Sequence, residues 1–347
     1  MGMEEKQHTL MGFILLAAFV VLLGWYFWAS YIGHRASLQI QENMLTVHDD
    51  LFAIDGRHDG SRAAVGKFGM ILLTRDGGKS WKEQPSGTSR ALSATSFADD
   101  QHGFVVGSGG TILVTSDGGI SWKVQTSGTE DQLLGVYASS PTKAYVVGAF
   151  GTLLSTSDGG GKWSKHEFSW DKLIPRIIKE SGYMEPNLNA VHFASAEVGW
   201  VVGEFGLVLQ TRDGGQTWVS QNYGGDLPQL FAVTFRDERS GWAIGQQGIL
   251  IRTMDGGKHW VGVELGTKKN LYGISLDGER GVIVGDGIVF VSHDGGSSWK
   301  RLEAVPEDRW LGGVAMKSRE GIAVGQGGTI RLLDLDKNPR EKEAGAP

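Results

Sequence analysis

One eight-residue pattern, Ser/Thr-x-Asp-Gly-Gly-x-x-Trp, occurs six times along the chain. An Asp followed by two glycines favours a tight hairpin turn, because the carboxylate accepts hydrogen bonds from backbone amides and glycine tolerates positive φ. The Trp that ends each copy can fold back over the hairpin and bury a large apolar face. We therefore interpret the Asp and Trp of each copy as structural residues: Asp76 and Trp81, Asp117 and Trp122, Asp158 and Trp163, Asp213 and Trp218, Asp255 and Trp260, and Asp294 and Trp299.

A second pattern, a Val-Gly or Ile-Gly pair, runs in phase with the first and occurs seven times. Its period of about forty residues accommodates several short strands per unit, and a repeat of this kind predicts a β-propeller. The interval between the third and fourth units is longer, because it contains an insertion at residues 164–187. The sequence therefore predicts an all-β chain with a seven-bladed β-propeller over residues 39–333.

Each unit is expected to form four strands, A to D. In the second unit we predict strand A at residues 92–97, B at 103–106, C at 111–115 and D at 121–126. The last unit supplies A at 311–316, B at 321–324 and C at 329–333, and stops before a D strand. We predict that a segment within residues 39–47 supplies the missing strand, since pairing the two chain ends removes an open sheet edge.

The N-terminal region contains an apolar run, residues 10–32, in which the only ionisable side chains are Tyr26 and Tyr31. This run is long enough to cross the hydrocarbon core of a bilayer, so it predicts one transmembrane helix between a tail at 1–9 and a linker at 33–38. A cleaved signal peptide is the alternative, although the run exceeds the usual length of such an apolar region. The basic flanks are nearly matched, and the short N-terminal tail favours a signal anchor in a bacterial inner membrane with the propeller in the periplasm.

The composition limits the possible functions. A net charge of −6 argues against a nucleic-acid partner, and the lack of cysteine excludes disulfides and a thiolate nucleophile. The nine histidines form no metal-binding or catalytic motif, so we expect no enzyme, cofactor or metal site. A glycosidase needs two carboxylates in one cleft. The candidates for such a pair are more simply interpreted as solvated loop charges: Glu204, Asp226, Asp286 and Glu307.

The insertion has its own pattern, in which apolar residues recur at helical spacing: Trp170, Leu173, Ile174, Ile177 and Ile178. We predict a short amphipathic helix there, with Pro175 near its first turn. Such a helix could cover the end of the central channel or dock a partner. Residues 334–347 form a charged tail.

The Asp-Gly-Gly-x-x-Trp boxes and the in-phase strands at 103–107 and 199–203 resemble the photosystem II stability/assembly factor-like family of BNR/Asp-box propellers, over roughly residues 45–333. The resemblance implies a non-enzymatic propeller that binds and helps assemble an integral membrane complex. Similar proteins in non-photosynthetic bacteria are often encoded beside exporters of the RND superfamily, which suggests an accessory subunit of such a transporter.

The resemblance also implies a partner-binding surface, which we expect on the face that carries the B–C and D–A loops. The candidates for partner contact are the arginines near this face and the apolar residues of the insertion: Arg90, Arg176, Arg236, Arg309, Trp170, Leu173, Ile174 and Ile177. Asp boxes also occur in sialidases and xyloglucanases, so the alternative is a glycan-binding or glycoside-hydrolase-like propeller.

Overall fold

The computed structural model describes residues 49–57, 59–174, 185–221, 228–302 and 308–335, all within one compact unit, Ile40–Leu335. The expected transmembrane helix at 10–32, the segment at 39–47 and the tail beyond residue 335 lie outside these residues. In the described part of the chain, no helix is both long enough and apolar enough to span a membrane. The described residues form seven antiparallel sheets, which confirms the prediction of an all-β, seven-bladed propeller.

The two inner strands of each blade, A and B, are long and well buried. Every A strand begins with a fully buried Leu, and the A strands of neighbouring blades pack side by side around the centre of the ring. The A strands are β1 (Leu51–Gly56), β5 (Leu92–Phe97), β9 (Leu133–Ala138), β13 (Leu188–Phe193), β17 (Leu230–Phe235), β21 (Leu271–Asp277) and β25 (Leu311–Lys317). The B strands are β2 (Arg62–Gly66), β6 (Gly103–Gly107), β10 (Ala144–Gly148), β14 (Gly199–Gly203), β18 (Gly241–Gly245), β22 (Arg280–Gly285) and β26 (Glu320–Gly325).

The two outer strands, C and D, differ in length. The C strands are β3 (Ile71–Thr74), β7 (Ile112–Thr115), β11 (Leu153–Thr156), β15 (Val208–Thr211), β19 (Leu250–Thr253), β23 (Ile288–Ser292) and β27 (Ile330–Asp334). The D strands are β4 (Lys82–Glu83), β8 (Lys123–Gln125), β12 (Ser164–Lys165), β16 (Val219–Ser220), β20 (Val261–Gly262) and β24 (Lys300–Arg301). Among the described residues the seventh sheet therefore has three strands.

The ring closes by direct packing of blade 7 against blade 1. The N–H of Gly327 donates to Oδ1 of Asp50 at 2.8 Å, and the ring of Phe52 stacks on Trp310 with 5.9 Å between centroids. Strands A of the two blades approach so closely that a Cβ on Gly312 would lie 2.8 Å from the Phe52 carbonyl oxygen. The first and last repeats thus share an interface like those between the other blades.

The core lies between neighbouring blades, and the box tryptophans fill it. Trp122 packs with Val65 and Ile71 of the preceding blade, and Trp163 packs edge-to-face on Phe104 with 6.0 Å between centroids. The indole Nε1 of Trp122 also donates to a carbonyl in its own turn at 3.1 Å. Each box Trp therefore joins its hairpin to the previous blade, which extends the sequence-based interpretation that it folds back over its own hairpin.

The Asp of each box organises the turn through hydrogen bonds. Oγ1 of Thr115 donates to Oδ1 of Asp117 at 2.8 Å and accepts the N–H of Gly119 at 2.9 Å. The same Asp117 oxygen accepts the N–H of Ser121 at 2.9 Å. Burial opposes ionisation, but the hydrogen bonds from Ser121 and Thr115 lower the pKa of Asp117 to about 2. The carboxylate therefore serves to hold the turn through these hydrogen bonds.

The Val-Gly pairs have a steric cause. Strand A bulges where it begins, and its backbone approaches the end of strand B. A Cβ on Gly66 would lie 2.1 Å from the Asp50 carbonyl oxygen, and one on Gly107 would lie 2.1 Å from that of Ala91. Gly66 has an extended backbone with φ of −164°, so close approach, not a left-handed dihedral angle, requires glycine there.

The insertion begins with a helix that is shorter than its spacing predicts. Helix α1 covers Trp170–Leu173, and Ile174 is extended with φ of −96° and ψ of 146°. Pro175 follows, and a proline disfavours the helical conformation of the residue before it. The expectation that one helix continues through Ile174 is therefore wrong, while Ile177 and Ile178 lie outside the described residues.

Candidate functional site

The direction of the strands divides the propeller into two faces. Strand A begins and strand B ends on the same side, so the D–A loops and B–C turns share what we call the upper face. The A–B turns and the Asp boxes share the opposite, lower face. The insertion is the D–A connection between blades 3 and 4, so it starts and ends at the upper face.

The upper face exposes phenylalanines where the backbone is left-handed. Phe68, Phe150 and Phe205 have φ of 54°, 53° and 57°, and they are 68%, 62% and 39% exposed. The same turn position in the other blades is Gly109, Gln247, Gly287 and Gly327. A left-handed conformation costs a residue with a Cβ roughly 1 kcal/mol. An exposed apolar ring in a strained turn adds little to the core, so these residues are candidates for contact with a partner.

More aromatic side chains lie at the upper ends of the innermost strands. Phe52 and Trp310 stack, and the rings of Phe231 and Tyr272 lie 5.4 Å apart between centroids. All four are partly exposed. Together with the turn phenylalanines, they give the upper face an aromatic character that was not among the sequence-based predictions. The available signal was a Phe two residues after the Val-Gly pair and an aromatic residue beside the first Leu of strand A.

Two acidic residues of the upper face, Asp50 and Glu204, are engaged in structural contacts. Asp50 pairs with Lys67 at 2.6 Å between Oδ2 and Nζ, and this hydrogen bond lowers the pKa of Asp50. Glu204, one of the glycosidase candidates, accepts the backbone N–H of Asn187 at 2.9 Å and its Nδ2 at 3.1 Å.

Asp286 is the one other glycosidase candidate that lies within the described residues. Burial, and then the hydrogen bond between the Tyr272 hydroxyl and the carboxylate of Asp286, raise the pKa of the Tyr272 phenol. Asp226 and Glu307 lie outside the described residues. The described carboxylates of this set are therefore tied to their neighbours.

Two of the predicted arginines lie on the upper face. Arg90 donates from Nη1 to the Gly109 carbonyl and lies at a groove of about 570 Å³. This groove runs between two successive D–A loops, and the exposed Val124 lines it. Arg309 is exposed and donates from Nη1 to Oγ1 of Thr329 at 3.2 Å. Both guanidinium groups are accessible to a partner on this face.

The prediction that Arg236 lies on the upper face is wrong. Arg236 directly follows strand A of blade 5, which runs from the upper to the lower face. Its guanidinium lies 5.7 Å from the ring centroid of Trp242. A Cβ on Gly295, in the Asp box of the next blade, would lie 2.7 Å from Nη1 of Arg236. Arg236 therefore belongs to the lower face, and Arg176 lies outside the described residues.

The described part of the insertion packs inward. Trp170 and Leu173 join the core between blades 3 and 4, and Ile174 is buried. Trp170 covers the B–C turn of blade 3, where a Cβ on Gly151 would lie 2.3 Å from its ring. These three candidate partner residues therefore hold the insertion on the propeller, and Ile177 lies outside the described residues.

Polar side chains link the A strands around the centre. Each of these bonds joins one blade to the next: Asp55 Oδ2 accepts the N–H of Phe97 at 2.7 Å, Ser96 Oγ accepts that of Ala138 at 3.0 Å, Tyr137 donates to the Phe193 carbonyl at 2.6 Å, and Ser275 Oγ accepts the N–H of Met316 at 3.1 Å. Burial raises the pKa of Asp55 to about 6 and lowers that of His192 to about 4.

In the parts of the chain described above, no group of three or more His, Cys, Asp or Glu side chains could hold a metal ion.

Comparisons with known proteins agree with this architecture. YCF48 from Cyanidioschyzon merolae has 21% sequence identity and a TM-score of 0.71, with 86% of this chain and 99% of that chain covered. YCF48 bound to a D1 peptide has 18% identity and a TM-score of 0.66, with 86% and 96% covered. The GH74 enzyme of Niastella koreensis has 12% identity and a TM-score of 0.69, with 86% and 54% covered. At these identities the likeness shows the fold alone.

The family follows from the sequence itself. A comparison with curated proteins found no match. A family profile described as photosynthesis system II assembly factor YCF48 matches residues 86–137, 125–231 and 226–313, which together cover well over half of the chain. The chain therefore belongs to the family of the photosynthesis system II assembly factor YCF48.

Proposed function

We propose that this chain is a non-enzymatic, protein-binding propeller that serves an integral membrane complex as an accessory or assembly subunit. Family membership and the relative solved with a D1 peptide support a protein-binding role. An anchor at residues 10–32, a periplasmic propeller and an RND-type transporter as the partner are parts of the same proposal.

The observation that carries the proposal is the exposed phenylalanines of the upper face. Phe68 and Phe150 are mostly exposed although their left-handed backbone would favour glycine. When a partner binds and removes these exposed apolar rings from water, the free energy of the system falls. Arg90 and Arg309 lie on the same face and can pair with acidic groups of that partner.

A glycan is the second candidate ligand, favoured by the aromatic rings around the upper end of the channel. Phe52, Phe231, Tyr272 and Trp310 are partly exposed and could stack on sugar rings. The hydrolase form of this alternative has less support, because the carboxylate of Glu204 is bonded to Asn187. Saturable binding on a glycan array would favour this candidate.

Affinity capture from the native membrane tests the main proposal. The full chain carries a C-terminal tag, and proteins that remain bound after detergent solubilisation are identified by mass spectrometry. A double variant, Phe68→Gly with Phe150→Gly, removes two exposed rings. A single variant, Gln247→Gly, is the matched control, because it changes the same turn position where there is no ring.

We expect wild type and the control to recover the same polytopic membrane protein in near-stoichiometric amounts, and the double variant to recover at least tenfold less. Equal recovery by all three chains would place the partner elsewhere on the propeller. Recovery of the propeller alone from wild type would contradict the accessory-subunit proposal.

A further inference from the structure

Two of the exposed phenylalanines, Phe150 and Phe205, lie in turns that one asparagine joins. Oδ1 of Asn187 accepts the N–H of Phe150 at 3.1 Å. Nδ2 of Asn187 donates to Oε1 of Glu204, the residue before Phe205, at 3.1 Å, and its backbone N–H donates to Oε2 at 2.9 Å. The B–C turns of blades 3 and 4 are therefore fixed to each other, and both rings are presented beside the same link.

The loops around these two rings are acidic. The D–A loops that enter and leave blades 3 and 4, together with their B–C turns, contain one lysine, Lys172, and six carboxylates within their described residues. The carboxylates are Glu130, Asp131, Glu167, Asp171, Glu185 and Glu204. Residues 175–184 and 222–227, which lie outside the described part, contain two cations and two carboxylates, so they leave this balance unchanged.

Two cations next to these loops reduce the excess of negative charge without removing it. Lys165, in strand D of blade 3, acts electrostatically on the carboxylate of Asp131. Arg90 lines the same groove as Glu130. When both are included, six carboxylates face three cations in this part of the upper face.

Two of the carboxylates are positioned to meet a partner. Glu204 is bonded to Asn187, and Oδ2 of Asp131 accepts the hydroxyl of Thr152 at 2.6 Å, so these two hold the turns in place. Glu130 and Glu185 are exposed on the loops at either side. They are the carboxylates that a partner reaches first.

The surroundings of Phe68, in blade 1, are different. The described loops at the upper end of that blade contain two carboxylates, Asp49 and Asp50, and two cations, Lys67 and Arg90. Asp50 pairs with Lys67 at 2.6 Å. Charge is balanced there, so the acidic excess distinguishes the turns of blades 3 and 4.

We propose that the surface formed by Phe150, Phe205, Glu130 and Glu185 binds a protein segment in which apolar residues are flanked by lysine or arginine. The two rings supply apolar contact area, because exposed apolar patches of this kind mark interaction sites. The carboxylates complement a basic segment and repel an acidic one. This inference rests on the proposed function, since it names the chemistry of the partner that the upper face takes.

Two labelled peptides test the inference. They share the same apolar residues, which are flanked by lysines in one peptide and by glutamates in the other. The full chain in nonionic detergent is titrated into each peptide at low and at high salt, and binding is followed by fluorescence anisotropy. Thermal unfolding of every variant checks that it is folded.

Two double variants divide the surface into its charges and its rings. Glu130→Gln with Glu185→Gln removes the exposed carboxylates, and Glu83→Gln with Glu264→Gln is the matched control, because it changes the net charge equally at exposed positions of blade 1 and blade 5. Phe150→Gly with Phe205→Gly removes the rings. Its control is Gln247→Gly, which changes the same turn position in blade 5.

We expect saturable binding of the lysine peptide that weakens as salt rises, and at least tenfold weaker binding of the glutamate peptide. Each double variant of the surface weakens binding of the lysine peptide tenfold or more, and neither control does. The inference is overturned if neither peptide binds saturably, if both bind equally, or if the charge variant and its control have the same effect.

These outcomes are distinct from those of affinity capture. Recovery of a membrane protein without any preference for the lysine peptide would overturn this inference and leave the proposed function standing. Preference for the lysine peptide without a captured membrane protein would overturn the proposed function and leave the charge assignment of this surface standing.

Discussion

Two phenylalanines of the upper face have a backbone conformation that favours glycine. Phe68 and Phe150 occupy left-handed turns at which blades 2, 6 and 7 have glycine. The rings are exposed, so packing does not offset the strain. Strained, exposed and apolar residues are typical of binding surfaces, where stability has been exchanged for contact with a partner.

The variant Phe68→Gly separates folding from binding. Glycine relieves the left-handed strain but makes the unfolded chain more flexible, and these effects partly cancel. We expect the free energy of unfolding to change by less than about 1 kcal/mol, while partner recovery falls. Denaturant titration and affinity capture measure the two quantities. A loss of stability well above that range would show that the ring supports the fold.

Asp55 makes stability depend on pH. Its pKa is raised to about 6 by burial, against the hydrogen bonds from Phe97 and Gly56, while in the unfolded chain it is near 3.8. A raised carboxyl pKa means that its contribution to stability is fully present below pH 3.8 and is lost as pH rises through about 6. The Asp55 side chain is partly exposed, so solvent screening reduces this effect.

We expect wild type to lose on the order of 1–3 kcal/mol more than Asp55→Asn between pH 4.5 and pH 8. Unfolding titrations of both chains over this range measure the difference. The same pH slope in both chains would contradict the assignment, because the variant lacks the titrating group but keeps an acceptor.

At the scale of elements, each blade is stabilised by packing against its neighbours. Trp122 lies in the interface between blades 1 and 2, at 6.0 Å from the ring of Phe97 between centroids. We expect Trp122→Ala to cost about 3–5 kcal/mol, since it leaves a cavity in a packed core. Val124→Ala, at an exposed position of the D strand that follows Trp122, should change stability by less than about 0.5 kcal/mol. Equal small effects in thermal unfolding would show that the indole does not join the blades.

Where strand B meets the B–C turn, a Cβ would clash with the backbone of strand A. This steric effect is separate from dihedral strain. A Cβ on Gly107 would lie 2.1 Å from the Ala91 carbonyl oxygen, so we expect Gly107→Ala to cost more than about 2 kcal/mol. Gly128 has φ of 80° but open space around it, so Gly128→Ala should cost about 1 kcal/mol from strain alone. Denaturant unfolding compares the two variants, and the reverse order would contradict the close-approach explanation.

The inner strands could be predicted from the sequence because buried residues and turn glycines mark them on both sides. Strand A of blade 2 is observed at the predicted residues 92–97, whereas strand D is shorter than the predicted 121–126. The outermost strand pairs on one side only, and Trp122 turns into the core before pairing starts. Pro175 shortened the helix of the insertion because its effect on Ile174 outweighs the apolar spacing.

The candidate site was harder to predict because it depends on tertiary structure. A left-handed Phe68 is tolerated only because the turn is fixed by strands B and C, and no local propensity favours it. Arg236 directly follows strand A, and the direction of that strand alone places it on the lower face. The inward packing of Trp170 depends on the space above Gly151, which the sequence does not reveal.

At the scale of the whole molecule, the ring presents two unlike faces. The upper face carries exposed phenylalanines, and the lower face carries the Asp boxes. Asp50 joins blade 7 to blade 1 on the upper face through Gly327, so ring closure also fixes the surface on which a partner would bind. We propose that an integral membrane protein binds the upper face.

Site-specific photo-crosslinking in the native membrane tests this claim most directly. One chain carries a photoreactive phenylalanine analogue in place of Phe68, and a second carries it in place of Ile120, which is half-exposed in an Asp box of the lower face. We predict a crosslink from position 68 to an integral membrane protein and none from position 120. A crosslink to such a protein from position 120 alone would contradict the account.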